Sequence, residues 1–291
     1  MRPPSEFLRT ASPEALFAIS GISQYAGAAV AINLFQELPP ATVAFFRVAA
    51  GALLVLSLSV RQLRGWTAAD LRAAAVFGIA TALMNLFFYL AIDRLPLGKS
   101  VVLEFIGPIS VAAVLTRTRR NTIALVLAAS GVAILSGVEI SGEPLGIAFI
   151  LAASAMWAAY IVLGRRVASL DRGLGGLAVG LVIGSVVILP FGVRGFGEVF
   201  GSGRLLGLCV LVGLLSSAIG YTIDQMVIRR IPIRRFALLL ALLPVTAMGV
   251  GYLALSQRPT PIDIVGAALV IAGVVTQERD EIAQPLDEVP A

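Results

Sequence analysis

The 291-residue chain has no histidine, a single cysteine and few charges. Without histidine there is no imidazole general base, no histidine metal ligand and no histidine pH sensor. One cysteine, Cys209, permits neither an intrachain disulfide nor a cysteine metal cluster. It lies in an apolar run and reads as a small core residue. No metal site and no cofactor are expected. Charged residues make up 13% of the chain, against about 25% in an ordinary soluble domain. A membrane-embedded enzyme would need clustered catalytic groups. No paired-aspartate diphosphate motif is present, and the polar residues within apolar runs are spread over both halves of the chain.

What the chain has instead is apolar surface. Apolar residues make up 58% of it and the mean hydropathy is +0.94. A soluble domain could not cover that much apolar surface with polar side chains, so the solvent for most of this protein is lipid. The net charge of +5 and pI of about 10.0 could suggest nucleic acid. The charges, however, sit in short segments between apolar runs, where they orient a protein in a membrane. Nucleic acid is not expected as a partner.

A bilayer core takes about 20 mostly apolar residues per helix. Ten spans satisfy this, at about 14–35, 42–60, 71–92, 98–116, 121–138, 145–163, 174–192, 205–226, 236–256 and 261–276. Breakers and charges separate them: Pro39-Pro40, Arg61 to Gly65, Arg94 with Pro96, Arg117 to Asn121, Gly142 with Pro144, Arg165-Arg166, Arg194-Gly195, Arg229 to Arg235, and Arg258-Pro259. With the N-terminus in the cytoplasm, only Arg94, Lys99, Arg194, Arg204 and Arg258 fall outside, and Arg47 lies within a span. Every other Lys and Arg falls inside. That bias predicts an N-in, C-in protein with an even number of spans. The first span is long and a second comes at once, unlike a cleaved signal. The acidic segment 277–291 reads as a disordered tail.

The two halves resemble each other. Leu95-Pro96 matches Ile231-Pro232, and Gly107-Pro108 matches Leu243-Pro244, both at an offset of 136 residues. Arg94 matches Arg230 and Ala82 matches Ala218 at the same offset. After an insertion of six, Ser130-Gly131-Val132 matches Ala272-Gly273-Val274. The expected architecture is therefore all-α, with residues 1–138 and 139–276 as two five-helix repeats. Five is odd, so the copies enter the membrane from opposite sides, as in many secondary transporters.

Charges inside a bilayer cost at least ~2.5–3.5 kcal/mol on insertion scales and usually mark function. Glu104 lies about two turns into the fourth span, ahead of Gly107-Pro108. Pro108 removes the backbone donor that would satisfy the Glu104 carbonyl, which predicts a helix break there and another at its counterpart Pro244. An unpaired carboxyl in lipid favours its neutral form, so Glu104 could take up and release a proton; the alternative is a structural ion pair. Arg47 would sit with Glu104 about 9 Å below the outer surface, at 1.5 Å per residue. It could pair with Glu104 and hold it ionised, or bind a substrate carboxylate. Asp224 is a third candidate, or else an interfacial residue paired with a loop arginine. Asn85 and Tyr89 share one helix face, and their repeat counterparts are Tyr221 and Gln225. These four, with Trp157 and Tyr160, are expected to line a cavity, with Glu104 and Arg47 on its outer side. Small residues at every fourth position, Gly176-Gly180-Gly184 and Ser23-Gly27-Ala31, read as close helix contacts.

Arg47 with Gly51, Met84-Asn85 to Tyr89, Pro96-Leu97-Gly98 running into Leu103-Glu104-Phe105-Ile106-Gly107-Pro108, Met156 to Ile161, and Arg230-Ile231-Pro232 carry a family resemblance. The chain resembles the ten-helix EamA-type branch of the drug/metabolite transporter superfamily, and looks most like its threonine/homoserine exporters. The resemblance implies a central cavity between inverted repeats, a location in the bacterial inner membrane, and export of small amino acids driven by protons. The alternatives are a permease for another metabolite or drug, or a lipid flippase. Such exporters often carry Glu-Pro in the ninth span. Here Leu243 precedes Pro244, and Leu240 is the counterpart of Glu104, so the resemblance leaves room for a different substrate or driving ion.

Overall fold

In a computed structural model, residues 11–63, 65–95, 97–135, 143–170, 172, 174–246 and 260–277 are described. Among them all regular structure is helical. Lipid offers backbone groups no hydrogen-bond partners, which favours helices that satisfy their own N–H and C=O groups.

The helices are α1 (Pro13–Leu34), α2 (Pro40–Ser59), α3 (Ala68–Ile92), α4 (Leu97–Leu115), α5 (Arg119–Leu135), α6 (Pro144–Ala168), α7 (Gly175–Gly192), the short α8 (Phe196–Gly201), α9 (Gly203–Ile228), α10 (Ile233–Leu239) and α11 (Pro261–Thr276). Local chemistry sets several starts. Proline leads α1, α2, α6 and α11, where its missing N–H costs nothing. Thr67 with Asp70 and Thr260 with Asp263 form reciprocal caps at α3 and α11.

Six segments among the described residues are long and apolar enough to cross a bilayer: α1, α2 with its 3-10 extension to Leu63, α3, α6, Gly175–Gly201 and α9. Leu103–Leu115 and α11 are shorter apolar helices. The expected boundaries at 174–192 and 205–226 thus extend to Gly201 and from Gly203. The second part of the expected span 236–256, residues 136–138 of the fifth span, Pro96 and nearly all of the 277–291 tail lie outside the described residues.

Polarity is arranged inside-out. Leu53 and Leu58 are 67% and 75% exposed, whereas Arg47 and Asp224 are 8% and 4% exposed. Apolar side chains face outward to lipid and polar ones are gathered within.

α3 packs on α6 and α7, α9 on α1 and α2, α2 on α7, and α5 on α11. Glycine allows these approaches. A Cβ on Gly78 would stand 1.8 Å from the Gly180 carbonyl oxygen, and one on Gly184 would stand 2.3 Å from the Gly78 carbonyl oxygen. Gly180 and Gly184 thus act as expected, while Gly176 faces Val167 of α6. Ser23 and Gly27 meet α9: the Ser23 hydroxyl donates to the Leu215 carbonyl at 2.7 Å, and a Cβ on Gly27 would meet Ser216 at 2.2 Å.

Two expectations about helix breaks part company. α4 runs helically through Pro108. Losing one donor does not break that helix, because Gly107 lets it lie directly on the Ser154 backbone of α6. At the counterpart the chain does leave the helix. α10 ends at Leu239, residues 240–241 form a turn and 242–246 resume helix. Leu240, whose carbonyl Pro244 cannot satisfy, instead accepts from the Leu243 N–H at 2.8 Å.

Candidate functional site

A cavity of about 100 Å³ lies where α1, α2, α3, α4, α6, α9 and the end of α10 converge. Its depth can be traced along α1, which contributes Gln24, Tyr25, Ala28, Ala31 and Ile32. Below Gln24 the two halves of the chain meet. Phe17 packs edge-on against Phe236 with ring centroids 5.2 Å apart, and the Arg235 guanidinium donates to Glu14 at 2.7 Å.

Arg47, Asn85, Tyr89, Glu104, Trp157, Tyr160, Tyr221 and Asp224 all line this space. Arg47 is part of the lining itself. It sits between two tyrosines, with Nη1 donating to Tyr89 Oη at 3.3 Å and Nη2 to Tyr221 Oη at 3.5 Å. Its guanidinium also lies 5.6 Å from the Tyr89 ring centroid. Asn85 Nδ2 donates to Tyr221 Oη at 2.8 Å and to the Thr81 carbonyl at 2.7 Å. Polar residues of α2, α3 and α9 therefore form one buried network.

The Arg47–Glu104 pair is not formed. Among the described residues no nitrogen–oxygen contact within 4.0 Å joins them, and Glu104 has no hydrogen-bond partner there. The two tyrosines hold the guanidinium, while Glu104 faces the cavity from α4. Among the described residues no arginine pairs with Asp224 either. It accepts from Ser20 Oγ and from Tyr160 Oη, each at 3.1 Å. Gln24 Nε2 donates to Ser20 at 3.0 Å. Trp157 meets Phe105 edge-on, centroids 4.9 Å apart, and with Leu240 and Leu243 supplies an apolar wall.

Tyr221→Phe deletes the hydroxyl that serves both Arg47 and Asn85 and strands a buried amide donor. The expected loss is about 1–3 kcal/mol of stability, read as a lower melting temperature of the purified protein in detergent. An unchanged melting temperature would mean that water replaces the hydroxyl.

Residues 144–276 match the EamA-like transporter family. The threonine/homoserine exporter RhtA of Escherichia coli strain K12 is 31% identical over 264 residues, which is 89% of either chain. RhtA of Salmonella typhimurium strain LT2 is 33% identical over 261 residues, 88% of this chain and 87% of that one. The chain belongs to the EamA-like transporter family. As an EamA-like transporter it is a multi-pass protein of the bacterial inner membrane and not an enzyme. A solved crystal structure has the same fold, with a TM-score of 0.71 at 18% identity, covering 90% of this chain and 95% of that one.

One expected lining residue of this EamA-like transporter lies elsewhere. Gln225 is buried between α9 and α6, its Nε2 3.3 Å from where a Cβ on Gly164 would stand. Its neighbour Asp224 lines the cavity and Gln225 does not. The contribution of α1 was not read from the sequence. Its signal was Ser20 and Gln24, two polar residues four apart on an otherwise apolar helix. A second feature without a plain sequence signal is the π-helical segment Gly213–Ile219 in α9. Each π turn takes in an extra residue and so rotates the remainder of the helix by roughly 100°. This sets the phase at which Tyr221 and Asp224 meet the cavity.

Proposed function

We propose that this transporter exports small amino acids such as threonine and homoserine by alternating access, using the proton gradient. The observation that carries the substrate class is the likeness, over nearly the whole chain, to exporters of those two amino acids. A cavity carboxyl, Glu104 or Asp224, is the proton carrier on this reading.

The transport cycle rests on ten spans arranged N-in and C-in as two inverted repeats, 1–138 and 139–276. Three features support that arrangement. The Asn85–Tyr221 hydrogen bond joins residues 136 apart, the repeat offset itself. The packing is unchanged when the halves are exchanged: α3 meets α6 and α7 as α9 meets α1 and α2. The α5–α11 crossing is symmetric residue by residue. A Cβ on Gly131 would meet Gly266 and Val270, and one on Gly273 would meet Ala124 and Ala128. Adding the offset of 142 to 124, 128 and 131 returns 266, 270 and 273. The Phe17–Phe236 and Glu14–Arg235 contacts would then be the closed inner gate between the halves.

The test is efflux of labelled threonine and homoserine from cells expressing the protein or an empty vector. Efflux several-fold above the vector, slowed by a protonophore, is expected. Efflux equal to the vector would overturn the substrate assignment, and insensitivity to the protonophore would overturn the coupling. The specific alternative is another small metabolite, favoured by Leu243, where such exporters often carry an acid, and by Leu240 at the repeat counterpart of Glu104.

A further inference from the structure

Hydrogen-bond capacity is unevenly used around the cavity. On one side, donors are left over. The Arg47 guanidinium has five N–H groups and no acceptor, and its buried Nε has no partner. Tyr89 Oη and Tyr221 Oη both accept from Arg47, and Tyr221 accepts from Asn85 as well. Among the described residues neither tyrosine's own O–H has an acceptor. Three donors thus meet in a buried place with nothing to receive them. A buried cation costs several kcal/mol unless an anion or strong acceptors face it. On the α4 side the imbalance reverses. Glu104 faces the cavity and, when ionised, offers only acceptors. Asp224 differs from it, since both of its oxygens already accept hydroxyl donors.

We infer that the cavity recognises the two ends of an α-amino-acid zwitterion separately, the α-carboxylate on Arg47 with the Tyr89 and Tyr221 hydroxyls, and the α-ammonium on Glu104. This rests on the export reading and assigns roles within it. The absence of a direct Arg47–Glu104 contact is then functional, because a pair that neutralised itself would leave neither group for the ligand. Leu240, Leu243, Phe105 and Trp157 remain for the side chain, which must be small. Asp224 takes no part in holding the zwitterion.

The test is thermal stabilisation of the purified protein in detergent by saturating series of related compounds. Threonine, homoserine, serine and alanine present both charged ends. Threoninamide lacks the carboxylate, and N-acetylthreonine lacks the ammonium. The zwitterions should stabilise the wild-type protein, and each blocked compound should need at least ~10-fold higher concentration for the same effect. Arg47→Gln should remove the preference for threonine over threoninamide while keeping that over N-acetylthreonine. Glu104→Gln should do the reverse. The comparison on the wild-type protein decides the matter even if a variant fails to fold. Equal stabilisation by the blocked compounds would overturn the inference and leave the export reading standing. Stabilisation by other zwitterions but not by threonine or homoserine would uphold the inference and overturn the named substrates. No stabilisation by any zwitterion would overturn the inference, with the efflux measurement then judging the export reading alone.

Discussion

Gly78→Val should leave cells with little or no folded protein. The added Cβ would fall 1.8 Å from the Gly180 carbonyl oxygen and 2.5 Å from the Gly180 Cα. These are backbone atoms, so no side-chain rotation relieves the clash. α3 and α7 would have to separate, and α3 is packed on α6 as well as on α7. In lipid, close packing is the main force holding helices together, because separated helices lose no hydrophobic burial. Overpacking commonly costs 1–3 kcal/mol, occasionally more, and this clash belongs to the severe end. Yield of monodisperse protein after detergent extraction measures it. Gly207→Ala is the control: nothing lies within 4 Å of its added Cβ, and the better helix former should leave the yield unchanged or improve it, by up to about 1 kcal/mol. Normal yield of Gly78→Val would mean that the two helices do not cross as closely as described.

Arg47→Leu should bring efflux of labelled threonine, the proposed substrate, down to the empty-vector level while the protein still reaches the membrane. The substitution removes a buried charge, which by itself does not harm insertion. It also removes the only cation lining the cavity among the described residues and releases the Tyr89 and Tyr221 hydroxyls. A hydrogen bond to a charged group contributes about 1.5–3 kcal/mol, so losing a bidentate carboxylate contact should slow transport by at least ~100-fold. Arg47→Lys keeps the charge but cannot reach both tyrosines and a ligand from one point, and should retain an intermediate rate. Initial efflux rates normalised to membrane-inserted protein are the measurement. Wild-type efflux in Arg47→Leu would place carboxylate recognition elsewhere.

Much of this was legible in residue types. Glu104, Arg47 and Asp224 stood out because charge in an apolar run is expensive, and Asn85, Tyr89, Tyr221, Trp157 and Tyr160 because helix periodicity puts polar residues on common faces. All eight line the cavity. Partnerships were not legible. Arg47 could have gone to Glu104 and Asp224 to a loop arginine; tyrosine and serine hydroxyls took both places. Pro108 and Pro244 look alike in sequence, yet only the second accompanies a break, since α4 has α6 to lie against at Gly107.

Composition, with the length and order of the apolar runs, determined that the protein lives in lipid, that it is helical, and which few residues there must justify their polarity. Those conclusions come from the cost of moving each group out of water, which depends little on its neighbours. Only the tertiary structure decided that Gln225 leaves the cavity, that α1 joins it, and that Arg47 faces two hydroxyls while Glu104 stands free. A hydrogen bond changes its worth within an ångström, and helix phase, crossing distance and the π turn of α9 set those ångströms jointly.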